Sequence, residues 1–267
     1  RGFLLGATAG RTTLAGEGLQ HQDGHSHLLA TTVPNCRAYD PTYAYELAVI
    51  IQDGMRRMYG EGESIFYYIS LMNENYAQPA LPEGVTDGIL RGGYRLQQGG
   101  AGKKRVTLLG SGTILREVIA AAELLKEQFG VAADIYSITS FSELRRDALG
   151  CERWNLLNPA ETPRVPYVAT LLGDCPSPII AASDYMRTVA DQIRQWLPRH
   201  YVTLGTDGFG RSDARAELRQ HFEVDRRFIA LAALKSLADE GTLDRTVLAD
   251  AVSRLGIDAT KPDPLST

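Results

Sequence analysis

Cysteine is scarce: Cys36, Cys151 and Cys175 are the three in the sequence, far apart and in no CxxC pair. That excludes a disulfide framework and a cysteine-based metal site, and it suits a reducing, cytoplasmic setting. No apolar run approaches the roughly 20 residues needed to span a bilayer, so no membrane-spanning helix is expected. Charge of one sign is also lacking. The 28 Lys and Arg against 32 Asp and Glu leave a net charge of -4, which offers nucleic acid no general attraction. Arg1-Gly2-Phe3-Leu4-Leu5 holds an apolar patch too short for a secretory leader, and there is no initiator methionine. The chain is therefore expected to be a piece of something longer. GxSxG elbows, P-loops and HExxH motifs are all missing.

What remains is ordinary globular material. The 267 residues are 44% hydrophobic and 22% charged, enough for one large domain or two smaller ones. Ala30-Thr31-Thr32-Val33 reads as a short strand. Asp40-Pro41 reads as a helix cap with proline at the first helical position, leading a helix over 43–58 with Leu47, Ile50, Ile51, Met55 and Met58 on one face. Residues 65–71 form a buried strand. The stretch 79–102, with seven glycines and two prolines, reads as a linker.

A new alternation follows. Residues 105–109 are a strand, Gly110-Ser111-Gly112 a turn, and 113–129 a helix whose buried stripe is Ile114, Val118, Ala122, Leu125 and Phe129. Further strands are expected at 133–138, 178–183 and 201–204, with helices at 184–197, 214–222, 226–239 and 246–255. The stretch 141–166 reads as irregular apart from a short helix near 142–147. Strands separated by helices imply an α/β fold with mainly parallel sheets.

Three of the five histidines fall within Gly16-Glu17-Gly18-Leu19-Gln20-His21-Gln22-Asp23-Gly24-His25-Ser26-His27. Imidazoles beside carboxylates suit proton transfer near neutral pH, and the spacing is also compatible with a divalent metal or with a merely solvated loop. Glycines shape a backbone rather than lock ligands, which favours acid–base or oxyanion work over metal binding. The Gly110-Ser111-Gly112 turn fails as a dinucleotide fingerprint because Leu115 stands at the third glycine position. It reads instead as a strand-to-helix turn needing unusual backbone angles. Gly205-Thr206-Asp207-Gly208-Phe209-Gly210-Arg211-Ser212-Asp213 is a second glycine-rich loop. There Ser212 or Asp213 is placed to cap the next helix, with Glu217 completing the pattern.

The histidine segment, Leu71-Met72-Asn73-Glu74-Asn75-Tyr76, Cys151-Glu152-Arg153-Trp154-Asn155, Pro163-Arg164-Val165-Pro166-Tyr167, the 205–213 loop and His221-Phe222-Glu223-Val224-Asp225 together resemble the homodimeric bacterial pyruvate dehydrogenase E1 component family. The resemblance runs in order through essentially the whole chain. It implies a transketolase-like architecture: residues 1–81 as the C-terminal part of a pyrimidine-binding middle domain, 82–104 as linker, and 105–267 as a transketolase-like C-terminal domain. It also implies thiamine diphosphate and Mg2+ as cofactors, anchored mainly by residues outside this chain, so that no cofactor-binding or metal residue is assigned within it.

The implied reaction is decarboxylation of pyruvate followed by reductive acetylation of the lipoyl domain of the E2 partner, by a homodimer. The family's active-site histidine matches His21. His27 follows, two residues after Asp23-Gly24-His25, and His25 ranks third. Such a C-terminal part is not expected to turn over alone. The alternatives are a non-catalytic assembly or dimerisation module and a related 2-oxo acid dehydrogenase or transketolase-type enzyme.

Overall fold

Side-chain alternation along the strands sorts the chain into two sheets. In the computed structural model, which describes residues 1–7, 9–14, 19–175 and 177–267, the first sheet has three parallel strands. Its elements are β1 (Phe3–Ala7), α1 (Ser26–Thr31), β2 (Cys36–Tyr39), α2 (Ala44–Met55) and β3 (Phe66–Leu71), with β3 central. Period-two geometry sends Tyr67 and Ile69 of β3 into a core with Ile50 and Met58, while Tyr68 and Ser70 face the other way, toward α1.

Next come α3 (Thr86–Arg91), β4 (Tyr94–Gln97), β5 (Arg105–Gly110), α4 (Ile114–Phe129), β6 (Ala132–Ser137), α5 (Phe141–Leu157), α6 (Tyr167–Leu172) and β7 (Ile179–Ala182). The chain ends with α7 (Arg187–Asp191), β8 (Tyr201–Leu204), α8 (Arg215–His221), α9 (Arg226–Asp239) and α10 (Arg245–Arg254). The second sheet runs β4-β6-β5-β7-β8, parallel except for the antiparallel edge strand β4. Val106, Leu108, Ile135 and Ile180 pack on one face with α4 and α9, and Leu109, Ile179 and Ala181 on the other with α5 and α7. Burying each such aliphatic side chain stabilises the fold by roughly 1.5–3 kcal/mol. The whole predicted stripe of α4 is buried.

Several expectations are corrected. Residues 30–33 are the end of α1 and a turn, not a strand; ahead of that helix, whose cap residue is His25, Asp23 accepts from the N–H groups of His25 and Ser26. The helix after Asp40-Pro41 begins at Ala44, where Glu46 reaches back to the N–H groups of Thr42 and Tyr43; Asp40 is not its cap. Of its predicted stripe Met55 is exposed.

The linker stretch is structured. It holds α3 and β4, tied down by Tyr94, whose hydroxyl donates to Glu46. The supposedly irregular 141–166 contains the 17-residue α5, capped by Ser140, whose Oγ accepts from Glu143 N–H. The expected helix 184–197 shrinks to α7 and a single 3-10 turn, since Asp184 and Tyr185 are drawn into the interior. Helix α8 starts at Arg215 with Ala214 as its cap residue, and Asp213 reaches only the Ala214 N–H.

Candidate active site

The strands of the first sheet are all parallel, as are the inner strands of the second, so the loops leaving their carboxyl ends gather at two edges. These edges meet. In parallel α/β sheets such carboxyl-end crevices are where ligands bind. After β1 comes the segment Ala9–Leu14 and then the histidine loop; Asp40 follows β2, Gly112 follows β5, Asp184 follows β7, and Gly205–Asp213 follows β8.

Asp184 is the hub of the seam. Fully buried, its carboxylate accepts from Thr12 N–H at 2.9 Å and Thr13 Oγ1 at 2.7 Å, while its carbonyl accepts from Arg11 N–H and Thr206 Oγ1. Burial pushes its carboxyl above the usual range, and the bonds from Thr13 and Thr12 counter that. Gly10 lies against the Asp184 carboxylate at φ +85, a left-handed backbone with no room for a side chain.

Arg11, 4% exposed, then crosses the seam. Its guanidinium donates to the carbonyls of Thr206 (2.8 Å) and Gly208, and reaches His25 Nε2 at 3.3 Å. Guanidinium has no acceptor, so that imidazole nitrogen must carry the lone pair. Gln22 clasps the same loop from the other side: its Oε1 accepts from Arg211 N–H at 2.7 Å and its amide donates to the Arg211 carbonyl. The two glycine-rich loops read from the sequence are thus one structure.

The three histidines are not brought together. His21 is exposed, on a 3-10 turn spanning Leu19–His21 beside Gln22. His25 is also exposed, against Arg11. His27 is 5% exposed and faces inward, with the ring of Tyr185 edge-on at 4.6 Å. Its Nε2 lies 3.1 Å from Ser70 Oγ, Ser70 donates to Asp40 Oδ1 at 2.6 Å, and Ser111 donates to Asp40 Oδ2 at 2.8 Å.

With Asp40 ionised, Ser70 gives its one proton to that carboxylate and the His27 Nε2–H donates to Ser70. Burial lowers the His27 pKa to about 4, opposed by Asp23, and raises that of Asp40 to about 7, tempered by Ser70 and Ser111. A void of about 10 Å3 beside these groups has room for one water at most. Gly16, Glu17 and Gly18 lie outside the described residues.

The sequence pointed to the two loops but not to Arg11, Asp184, Asp40 or Ser70. The turn read at Gly110-Ser111-Gly112 does have an unusual backbone angle: Gly112 is at φ +50, where a side chain would strike the Asp40 carboxylate.

Among the described residues no three His, Cys, Asp or Glu converge as metal ligands. The carboxylates nearest the histidine loop are already engaged: Asp23 accepts from the N–H groups of His25 and Ser26, and Asp184 holds Thr12 and Thr13. Nor is any helix among these residues long and apolar enough to cross a membrane.

Comparison with known proteins places this geometry. Residues 1–79 match the family described as pyruvate dehydrogenase E1 component middle domain, and residues 92–225 the transketolase-like TK C-terminal domain. The chain is 59% identical over 269 residues to the pyruvate dehydrogenase E1 component of Pseudomonas aeruginosa, covering 99% of this chain and 30% of that protein. Among solved structures it superposes on a transketolase mutant from Pichia stipitis with a TM-score of 0.64 at 18% identity, covering 91% of this chain and 31% of that one. It also superposes on a split-gene transketolase, described as an inactive β4 tetramer, with a TM-score of 0.55 at 17% identity, covering 88% of this chain and 66% of that one. At such identities the two structural likenesses establish the fold alone. The chain spans about 30% of the length of the curated relatives it matches.

Proposed function

The chain belongs to the pyruvate dehydrogenase E1 component family, and from that premise we propose that it supplies one wall of the active site of an acetyl-transferring pyruvate dehydrogenase. The observation that carries this reading is the seam where the carboxyl edges of two α/β sheets meet under a histidine loop. The proposed reaction is thiamine diphosphate-dependent decarboxylation of pyruvate with transfer of the acetyl group to an E2 lipoyl domain, in a soluble, cytoplasmic homodimer. We likewise propose the division into residues 1–81 and 105–267 as parts of two domains.

The seam does not fit a Mg2+ site, since its carboxylates already accept the chain's own N–H and O–H groups. The cofactor would be held by residues of the longer polypeptide. In this chain, the exposed imidazole of His21 exchanges a proton with the substrate oxygen, a role worth typically 10²–10⁴-fold in rate. His25 lies against Arg11, which fixes its ring. His27, neutral and buried, sets the position of α1 and of the loop ahead of it rather than reaching substrate.

A second reading, an assembly module without catalysis, is favoured by the absence of a Mg2+ site among the described residues of the seam. The test is acetyl transfer by the intact polypeptide with thiamine diphosphate, Mg2+ and a lipoyl acceptor, comparing pyruvate with bulkier 2-oxo acids. Pyruvate should be turned over best. Preference for another oxo acid, or none turned over, would defeat the assignment.

A further inference from the structure

Bordering the seam, to which Arg215 and Arg219 are bonded through the Thr13 carbonyl and Thr12 Oγ1, α4, α8 and the start of α9 enclose a cleft of about 450 Å3 whose charges do not balance. Glu74 sits within salt-bridge range of three guanidinium groups: Arg116 at 2.5 Å, Arg215 at 3.8 Å, and Arg219. Glu117 binds Arg226 at 2.9 Å and lies 3.6 Å from Arg219, and Asp225 binds Arg227 at 2.6 Å. Five cations thus face three carboxylates among the described residues lining the cleft. Two of these guanidinium charges exceed the carboxylates beside them, and like charges brought together repel unless an anion balances them.

The arginines are also held in place. Arg219 is 5% exposed and donates from Nε to Thr12 Oγ1, so its ordering cost is met before any ligand arrives. Glu74 and Glu117 stay ionised, their pKa values lowered by these arginines against the opposing effect of burial. A second cleft of about 360 Å3 adjoins the first and shares Arg116 and Arg226 with it. Its wall carries Glu123 and two aromatic rings: Tyr43, stacked on Tyr45, meets Tyr76 edge to face, and the Arg116 guanidinium lies 4.7 Å from the centre of the Tyr76 ring. Forked guanidinium groups match phosphate oxygens, and aromatic faces accept planar rings.

We propose that this double cleft binds a phosphate-bearing small molecule, its phosphates among Arg116, Arg215 and Arg226 and a planar organic group against Tyr43 and Tyr76. The site is separate from the histidine loop.

The test uses the intact polypeptide with thiamine diphosphate and Mg2+ already saturating, so that the cofactor's own site gives no signal. Inorganic pyrophosphate and ADP are titrated calorimetrically. Both should bind saturably, ADP more tightly, and both more weakly as salt is raised. The Arg116→Gln/Arg226→Gln double variant should lose about tenfold or more in affinity for each. Tyr76→Leu should weaken ADP by about tenfold and leave pyrophosphate nearly unchanged. Thermal unfolding checks that the variants fold, and Arg215→Gln serves if the double variant does not. Absence of saturable binding at millimolar concentration, or equal affinity in a folded arginine variant, would overturn the site. ADP binding no tighter than pyrophosphate would overturn its aromatic half.

Discussion

His21, His25 and His27 lie within seven residues, yet His27 is buried while His21 and His25 are exposed. His21→Ala in the intact enzyme should reduce acetyl transfer by about 100-fold or more while cofactor affinity changes little, measured by steady-state turnover beside cofactor titration. Unchanged turnover would remove His21 from the chemistry. Asp40 allows a pH test with a definite sign. Its pKa near 7 in the folded chain, against an ordinary 3.8, means the folded state holds a proton that the unfolded chain gives up between those values. Its contribution to stability is therefore present below pH 4 and is lost as pH rises toward 7.

Asp40→Asn removes that loss, so the variant should gain on the parent by about 2–3 kcal/mol between pH 5 and pH 8, read from denaturant unfolding. A pH-independent difference would show that Asp40 is already charged. His27 acts in the opposite sense, losing stability as pH falls from 6.5 toward 4, and that change is shared by parent and variant. The histidine loop was legible because polar residues and glycines crowd one stretch. Arg11, Asp184 and Ser70 were not, because each becomes a hydrogen-bonding hub only when segments distant in sequence meet.

Among the elements, α4 could be read from its uninterrupted apolar stripe, whereas α5 could not. Its apolar residues are interrupted by Arg, Glu and Asp, with Leu149, Leu156 and Leu157 exposed, and what fixes its start is a single serine. Ser140 Oγ accepts from Glu143 N–H at 3.0 Å and donates to the Ala38 carbonyl at 2.5 Å, so one side chain joins α5 to β2. Ser140→Ala should destabilise the chain by about 1–2 kcal/mol, with the denaturation midpoint as readout. A loss below about 0.3 kcal/mol would mean the helix is held by packing alone. The edge strand β4 escaped notice for a related reason: glycines surround a four-residue strand, and its pairing with β6 is antiparallel where the alternation implied parallel neighbours. Asp40-Pro41 looked like a cap because cap chemistry is local, but a buried carboxylate with two serine donors is more strongly held than an exposed one.

At the scale of the molecule, the parallel α/β class was legible from strand and helix alternation, and the seam between the two sheets was not, since it depends on tertiary contacts between residues 9–13 and 183–208. The central claim is that this seam is one wall of an active site completed by residues beyond the chain. The most direct test is to supply the isolated 267-residue chain with thiamine diphosphate, Mg2+, pyruvate and a lipoyl acceptor, and then to add the remaining part of the polypeptide. The account predicts no acetyl transfer by the chain alone and turnover once the remainder is present. Acetyl transfer by the isolated chain would contradict it.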